Sequence, residues 1–128
     1  MKPMLLPWNL KTNHHRGKWA EFLARMYLRA HGYTILAHNY INHRGVYAGE
    51  IDIVAYNNRT VIFVEVKQRR RMERALYSIT PHQRERINYM AYNYMRFHPE
   101  YKGCDVRFDA VFVRLPFTIK HIINAWTL

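Results

Sequence analysis

The chain has 128 residues in which 20 Lys and Arg face nine Asp and Glu, for a formal charge of +11, while 49% of residues are hydrophobic and 15% aromatic. That much core material excludes a disordered tail and predicts one compact basic domain, long enough to bury about 68% of its unfolded surface. The lone Cys104 excludes an internal bridge and a cysteine zinc site, and no apolar run approaches the roughly 20 residues that cross a bilayer.

Met1 to Leu10 carry only a short apolar patch broken by Pro3 and Pro7. This predicts a lead over residues 1–12, no cleaved signal peptide and a cytoplasmic protein. Apolar residues then recur at Trp19, Phe22, Leu23, Met26, Tyr27 and Ala30, the spacing of one helix face, with Thr12 or Asn13 as cap and Gly32 as stop. Tyr33 to Tyr40 reads as a strand, followed by a loop at Asn42, His43, Arg44 and Gly45. Glu50–Tyr56 and Val61–Lys67 are alternating segments around Asn57, Asn58 and Arg59, the pattern of a β-hairpin. Thr80, Pro81 and Gln83 predict a helix start with a capping box, and Ile87, Met90, Ala91, Tyr94 and Met95 its apolar face. Pro99 and Gly103 end it, and Arg107–Arg114 and Thr118–Ala125 read as two further strands. No repeat or Gly/Ser-rich linker divides the chain. Residues 13–128 therefore read as one α/β domain in the order αβββαββ, a mixed β-sheet flanked by helices.

The positive excess favours an anionic partner, nucleic acid first, because each cation set against a phosphate releases condensed counterions. Charge alone also serves solubility, so the chemistry rests on particular residues. Successive strand residues alternate sides, which groups Glu50, Asp52, Val54 and Tyr56 on one face and Ile51, Ile53 and Ala55 on the other. On the partner strand Val61, Phe63, Glu65 and Lys67 share a face. Whether the turn has two residues or four, Asp52 falls opposite Glu65, where like charges about 4.5–5.5 Å apart at Cβ repel. A divalent cation offsets that repulsion, and oxygen ligands without Cys or clustered His point to Mg²⁺, with Mn²⁺ as a substitute. Lys67 adds a cation suited to orienting water or stabilising a transferring phosphoryl group. The competing reading is a solvated charged face, with Asp52 paired to Lys67 or Arg69. Against it, both carboxylates lie within strongly apolar strands, where charge is expensive unless partnered or used.

Gly49-Glu50-Ile51-Asp52-Ile53-Val54-Ala55 followed by Val61-Ile62-Phe63-Val64-Glu65-Val66-Lys67-Gln68-Arg69 closely resembles the YraN-like family of uncharacterised bacterial proteins. That family is similar to the restriction-endonuclease-like PD-(D/E)XK nucleases and to archaeal Holliday junction resolvases. The resemblance extends through Gly17, Glu21, Ala24, Tyr27, Leu28, Gly32 and Tyr33, and through Ile79, Thr80, Arg86, Ile87, Ala91, Arg107, Phe108 and Asp109. It implies a restriction-endonuclease-like core of helix, three strands, helix and strand, with Asp52, Glu65 and Lys67 at the metal-binding and catalytic positions. It also implies that Glu21 completes the metal site directly or through water; the other reading of Glu21 is an i, i+4 pair with Arg25. Glu50 matches the motif as well, as a ligand of a second ion or as a charge that adjusts the local potential. Two positions depart from the pattern: Ala20 stands where Gly is usual, and Gln83 stands where a basic residue is common. Gln83 is read either as an accessory site residue or only as part of the helix cap. The Val46–Ala48 loop is also longer than the resemblance leads one to expect.

Arg69, Arg70, Arg71 and Arg74 follow the catalytic strand, and Arg84 and Arg86 open the second helix, placing six candidate phosphate contacts around the motif. The tyrosines fall largely at core spacing, and the scattered His residues, His14 and His15 included, define no zinc site. The expected function is Mg²⁺-dependent endonuclease hydrolysis of DNA phosphodiester bonds, on branched or single-stranded DNA. The alternative is a non-catalytic nucleic-acid-binding module with a nuclease fold in a DNA repair, recombination or uptake assembly. No membrane partner is expected, and cutting both strands of a symmetric junction would favour a homodimer.

Overall fold

The computed structural model describes residues 13–42, 49–70, 78–114 and 116–127. The lead over 1–12, the Val46–Ala48 loop, Arg71, Arg74 and the side chains of His14 and His15 lie outside the described residues. The elements in chain order are α1 (Asn13–Ala30), β1 (Thr34–Asn42), β2 (Gly49–Asn57), β3 (Thr60–Gln68), α2 (Pro81–Phe97), a 3₁₀ turn at Pro99–Tyr101, β4 (Asp105–Arg114) and β5 (Thr118–Trp126). They form one five-stranded sheet ordered β1-β2-β3-β4-β5, antiparallel except where β3 and β4 run parallel. A parallel pair needs a crossover, and α2 supplies it. This is the predicted mixed α/β architecture, with the helix and strand order of a nuclease-like fold. None of the described helices is long and apolar enough to cross a membrane.

Each helix covers one face of the sheet. On the α2 side Val54, Val61, Phe63, Phe108, Ala110 and Phe112 pack with Ile87, Met90, Ala91 and Tyr94. On the α1 side Ile53, Ala55, Ile62, Val64, Val111 and Val113 pack with Ala20, Ala24 and Leu28. The predicted apolar face of α1 is therefore rotated from the one that is buried: Met26 is 46% exposed, whereas Ala20 and Ala24 are 1% and 0%. Small side chains admit the helix close to the sheet, while Trp19, Phe22 and Tyr27 stay half-buried along its flanks. The start of α2 is as predicted, with Gln83 N–H donating to Thr80 Oγ1 at 3.2 Å and Thr80 N–H donating to Gln83 Oε1 at 3.0 Å.

The β2–β3 turn has two residues, since Asn57 pairs with Thr60. Asn58 and Arg59 both take left-handed φ, 49° and 58°, the conformation of a type I′ hairpin whose twist matches its strands. Strict alternation along β2 fails at its start. Ile51, expected on the face of Ile53 and Ala55, instead packs with Val54 on the α2 side. Glu50 and Asp52, expected with Val54, direct their carboxylates toward Glu21 of α1. The neighbouring strand shows why: β1 carries a bulge between Ile35 and Ala37, and Asn39, opposite Asp52 by register, has φ 53°. The sheet bends there, and alternation does not survive a bend.

The far edge is secured by a buried carboxylate. Asp109 Oδ1 accepts from Arg107 Nε and the Asn124 N–H, both at 2.9 Å, and Oδ2 accepts from Arg107 Nη2 at 2.8 Å and His121 Nε2 at 2.7 Å. Between Phe108↔Trp126 and Ala110↔Ile122 the β4–β5 register shifts, and Asn124 sits there with φ 56°. The carboxylate thus satisfies the backbone that the bulge releases from the ladder.

Candidate functional site

The hairpin register runs from Asn57↔Thr60 to Ile53↔Val64, so its continuation sets Asp52 opposite Glu65. Beyond that point the ladder is taken up by a side chain: the Val66 N–H donates to Asp52 Oδ2 at 2.8 Å. The carboxylate is thereby wedged into the mouth of the hairpin where β2 turns away. Glu65 sits beside it and holds Lys67 Nζ at 3.1 Å, with the two side chains only 13% and 18% exposed. Sequence spacing gave the Asp52–Glu65–Lys67 grouping, and the structure brings these three residues together.

Two more carboxylates complete the group. Oxygen atoms of Glu21, Glu50 and Asp52 all lie within 4.8 Å of one another. Glu21 reaches this point from the first half of α1, because Ala20 and Ala24 seat the helix against the sheet. The alternative Glu21–Arg25 ion pair is not formed within 4.0 Å; Arg25 acts on Glu21 only at longer range. Asn39 is the member that sequence reasoning missed. With its amide turned so that nitrogen faces the two anions, it donates to Glu50 Oε1 at 2.7 Å and Glu21 Oε2 at 3.1 Å. Its signal was an Asn in mid-strand, a residue type depleted in strands that tolerates left-handed φ.

Burial and mutual repulsion raise the proton affinity of this cluster. Asp52 is pushed well above the usual carboxylate range by burial first and then by Glu65, with Glu21 and Glu50 adding to it and the Val66 N–H opposing it. Burial likewise raises Glu65, against the pull of Lys67, and raises Glu21, reinforced by Glu50. The donor set suits a hard divalent cation, being all oxygen and gathered within 4.8 Å. Glu21, Glu50, Asp52 and Glu65 are the residues that would hold such an ion.

The remaining predicted residues divide by position. Arg86 runs along the start of β2: a Cβ on Gly49 would meet its Cδ at 2.7 Å and Met90 Sδ at 3.0 Å. A glycine there is what admits the arginine stem. Arg86 Nη2 also contacts His82 Nε2 at 3.2 Å. Gln83 spends its side chain in the α2 cap, and Arg84 keeps a buried Nε without an acceptor among the described residues. Arg69 is tied to the sheet by its N–H to Val113 O at 3.0 Å and by Nη1 to Gln68 O at 2.6 Å, while Arg70 is exposed. Arg71 and Arg74 fall outside the described residues.

Comparison with known proteins gives the same family as the hairpin motif. A UPF0102 protein of Paramagnetospirillum magneticum is 47% identical over 116 residues, 88% of each chain. A UPF0102 protein of Nitrobacter winogradskyi is 42% identical over 115 residues, 88% of this chain and 92% of its own. One from Rhodopseudomonas palustris is 41% identical over 110 residues, 86% and 82% of the two chains. The family profile described as "Uncharacterised protein family UPF0102" matches residues 20–113, from the α1 helix through β4. The chain belongs to UPF0102, the YraN-like family.

Proposed function

We propose that the protein is a metal-dependent nuclease that hydrolyses phosphodiester bonds of nucleic acid, DNA in the first instance. The observation that carries this reading is the wedge of Asp52 into the hairpin mouth beside the Glu65–Lys67 pair, with Glu21 and Glu50 converging on it. Four carboxylates crowded around a half-buried point are destabilising on their own, and ion binding is the use that justifies them. A bound Mg²⁺ supplies Lewis acidity toward the phosphoryl oxygen and lowers the pKa of a coordinated water.

The chain's own groups have distinct tasks. Asp52 and Glu65 are fixed ligands, because one is anchored by the Val66 N–H and the other by Lys67. Lys67 holds positive charge beside the reacting phosphate and orients the attacking water. Glu21, braced by Asn39, closes the site from the helix side. Arg69, Arg70 and Arg86 border the site and would grip the flanking phosphates without reading sequence.

The test is cleavage of labelled single-stranded, duplex and four-way-junction DNA in Mg²⁺, Mn²⁺ or EDTA, comparing wild type with Glu65→Ala and Lys67→Ala after both are shown to fold. Cutting that requires the metal and is lost in both variants is expected. Cleavage that persists in EDTA or in either variant refutes the assignment. Salt-sensitive binding without any cutting, unchanged by both substitutions, moves the reading to a nucleic-acid-binding module.

A further inference from the structure

The carboxylate site faces one end of the sheet, and an aromatic cluster occupies the same end. Trp19 stacks on Phe22 with centroids 5.7 Å apart and planes at 17°, and it meets Phe117 edge-on at 6.2 Å and 68°. Trp19 Nε1 donates to Pro116 O at 3.2 Å, which pins the β4–β5 turn to α1. That turn follows the ends of β3 and β4, which lie side by side, Gln68 opposite Val113. Trp19 and Glu21 flank nearly opposite sides of α1, about 10–12 Å apart across the helix. Phe22, the residue after Glu21, sits between them, so the aromatic surface begins beside the carboxylates and crosses the helix to Phe117.

Two features single this surface out. Phe117 is 71% exposed, a large apolar ring held at a turn tip where a polar residue would serve the turn equally well. Trp19's hydrogen bond and its edge contact with the phenyl ring attach the turn to the helix, yet most of that ring still faces solvent. Exposed cations also accompany it: Lys18 precedes Trp19, and Arg114 and Lys120 flank the turn that carries Phe117. Aromatic faces framed by positive charge suit a strand that offers both bases and phosphates. A continuous duplex hides its base faces in the stack, whereas an unpaired base presents one.

We propose that the exposed ring of Phe117, backed by Trp19 and Phe22, forms a stacking platform for unpaired bases of a single-stranded nucleic acid whose backbone continues into the carboxylate site. The inference rests on the nuclease reading for the second half of that path only. It makes single strands, or single-stranded tails of branched molecules, the substrate class.

The test measures binding in EDTA, independent of hydrolysis, using the full chain with an oligothymidylate ~16 nucleotides long and a blunt duplex of equal length. Phe117→Ala, which leaves the core intact, is expected to weaken the single-strand complex roughly 5- to 100-fold while duplex affinity stays within about twofold, its phosphate contacts being untouched. Phe117→Tyr restores the wild-type preference. Oligothymidylate should quench tryptophan fluorescence, and Trp19→Phe should remove most of that quenching. Equal weakening on both ligands, or none on either, overturns the platform. If the single-strand-specific loss appears while no DNA is ever cut, the platform stands and hydrolysis falls. If metal-dependent cutting appears while Phe117→Ala leaves the single-strand preference unchanged, hydrolysis stands and the platform falls.

Discussion

Replacing Asp52 by Asn should make the metal-free protein more stable. Asp52 shares a 4.8 Å group with Glu21 and Glu50, and one like-charge pair at that distance costs about 3.5 kcal/mol at an effective dielectric of ~20. Lys67 on Glu65 and the Asn39 amide on Glu21 and Glu50 return part of this. Asn keeps an oxygen to accept the Val66 N–H, so the backbone anchor survives. The net gain expected at pH 8 in EDTA is about 1–3 kcal/mol, or a rise in Tm of roughly 4–10 °C for a chain of this size. The sign follows from proton linkage. Asp52 in the folded state holds its proton more tightly than its ordinary value of 3.8. Between that value and the raised one the folded state binds more protons than the unfolded, and wild-type stability falls as pH rises. The variant has no such proton to lose, so its advantage should be near zero below pH ~4 and grow with pH through the window. Thermal and urea unfolding of both proteins from pH 4 to pH 8 measures it. Mg²⁺ should then reverse the order, stabilising wild type by about 2.7 kcal/mol at 100 times its Kd and the variant far less. A variant less stable than wild type at pH 8 in EDTA, or a difference that does not change with pH, would refute the reasoning.

Asp109 is expected to behave in the opposite way: burial pushes it up, but hydrogen bonds from His121, Arg107 and the Asn124 N–H outweigh that and hold it below its ordinary range. It therefore stabilises the fold above its unfolded value of 3.8, with loss as pH falls through the lower folded value, and Asp109→Ala should cost about 3–5 kcal/mol at pH 7 in urea unfolding. Arg59→Gly should stabilise by about 0.5–1 kcal/mol, because it relieves a non-glycine residue at φ 58°; denaturant midpoints would show it. Gly49→Ala should destabilise by about 1–3 kcal/mol through collision with Arg86 and Met90, and it should weaken nucleic-acid binding as Arg86 is displaced. Unchanged stability there would mean that the arginine stem yields freely.

The local rules were legible in the sequence because they depend on neighbours a few residues apart. Thr80, Pro81 and Gln83 specify a cap within one turn of helix, and Asn58 with Arg59 specify a hairpin whose register follows by counting. Counting alone set Asp52 against Glu65 and put Lys67 two residues on, so the heart of the candidate site was readable before any fold. What the sequence could not decide depended on elements meeting across the molecule. Asn39 joined the carboxylates because a bulge and a left-handed residue bend β1, and Ile51 crossed to the other face because β2 bends with it. Period-two reasoning assumes a regular strand and fails where the sheet departs from one. The face of α1 was misread for a related reason: periodicity finds the large apolar residues, but close packing on a sheet selected Ala20 and Ala24. That choice placed Glu21 at the carboxylates and left Trp19 to meet Phe117, nearly a hundred residues away, at the same end of the sheet.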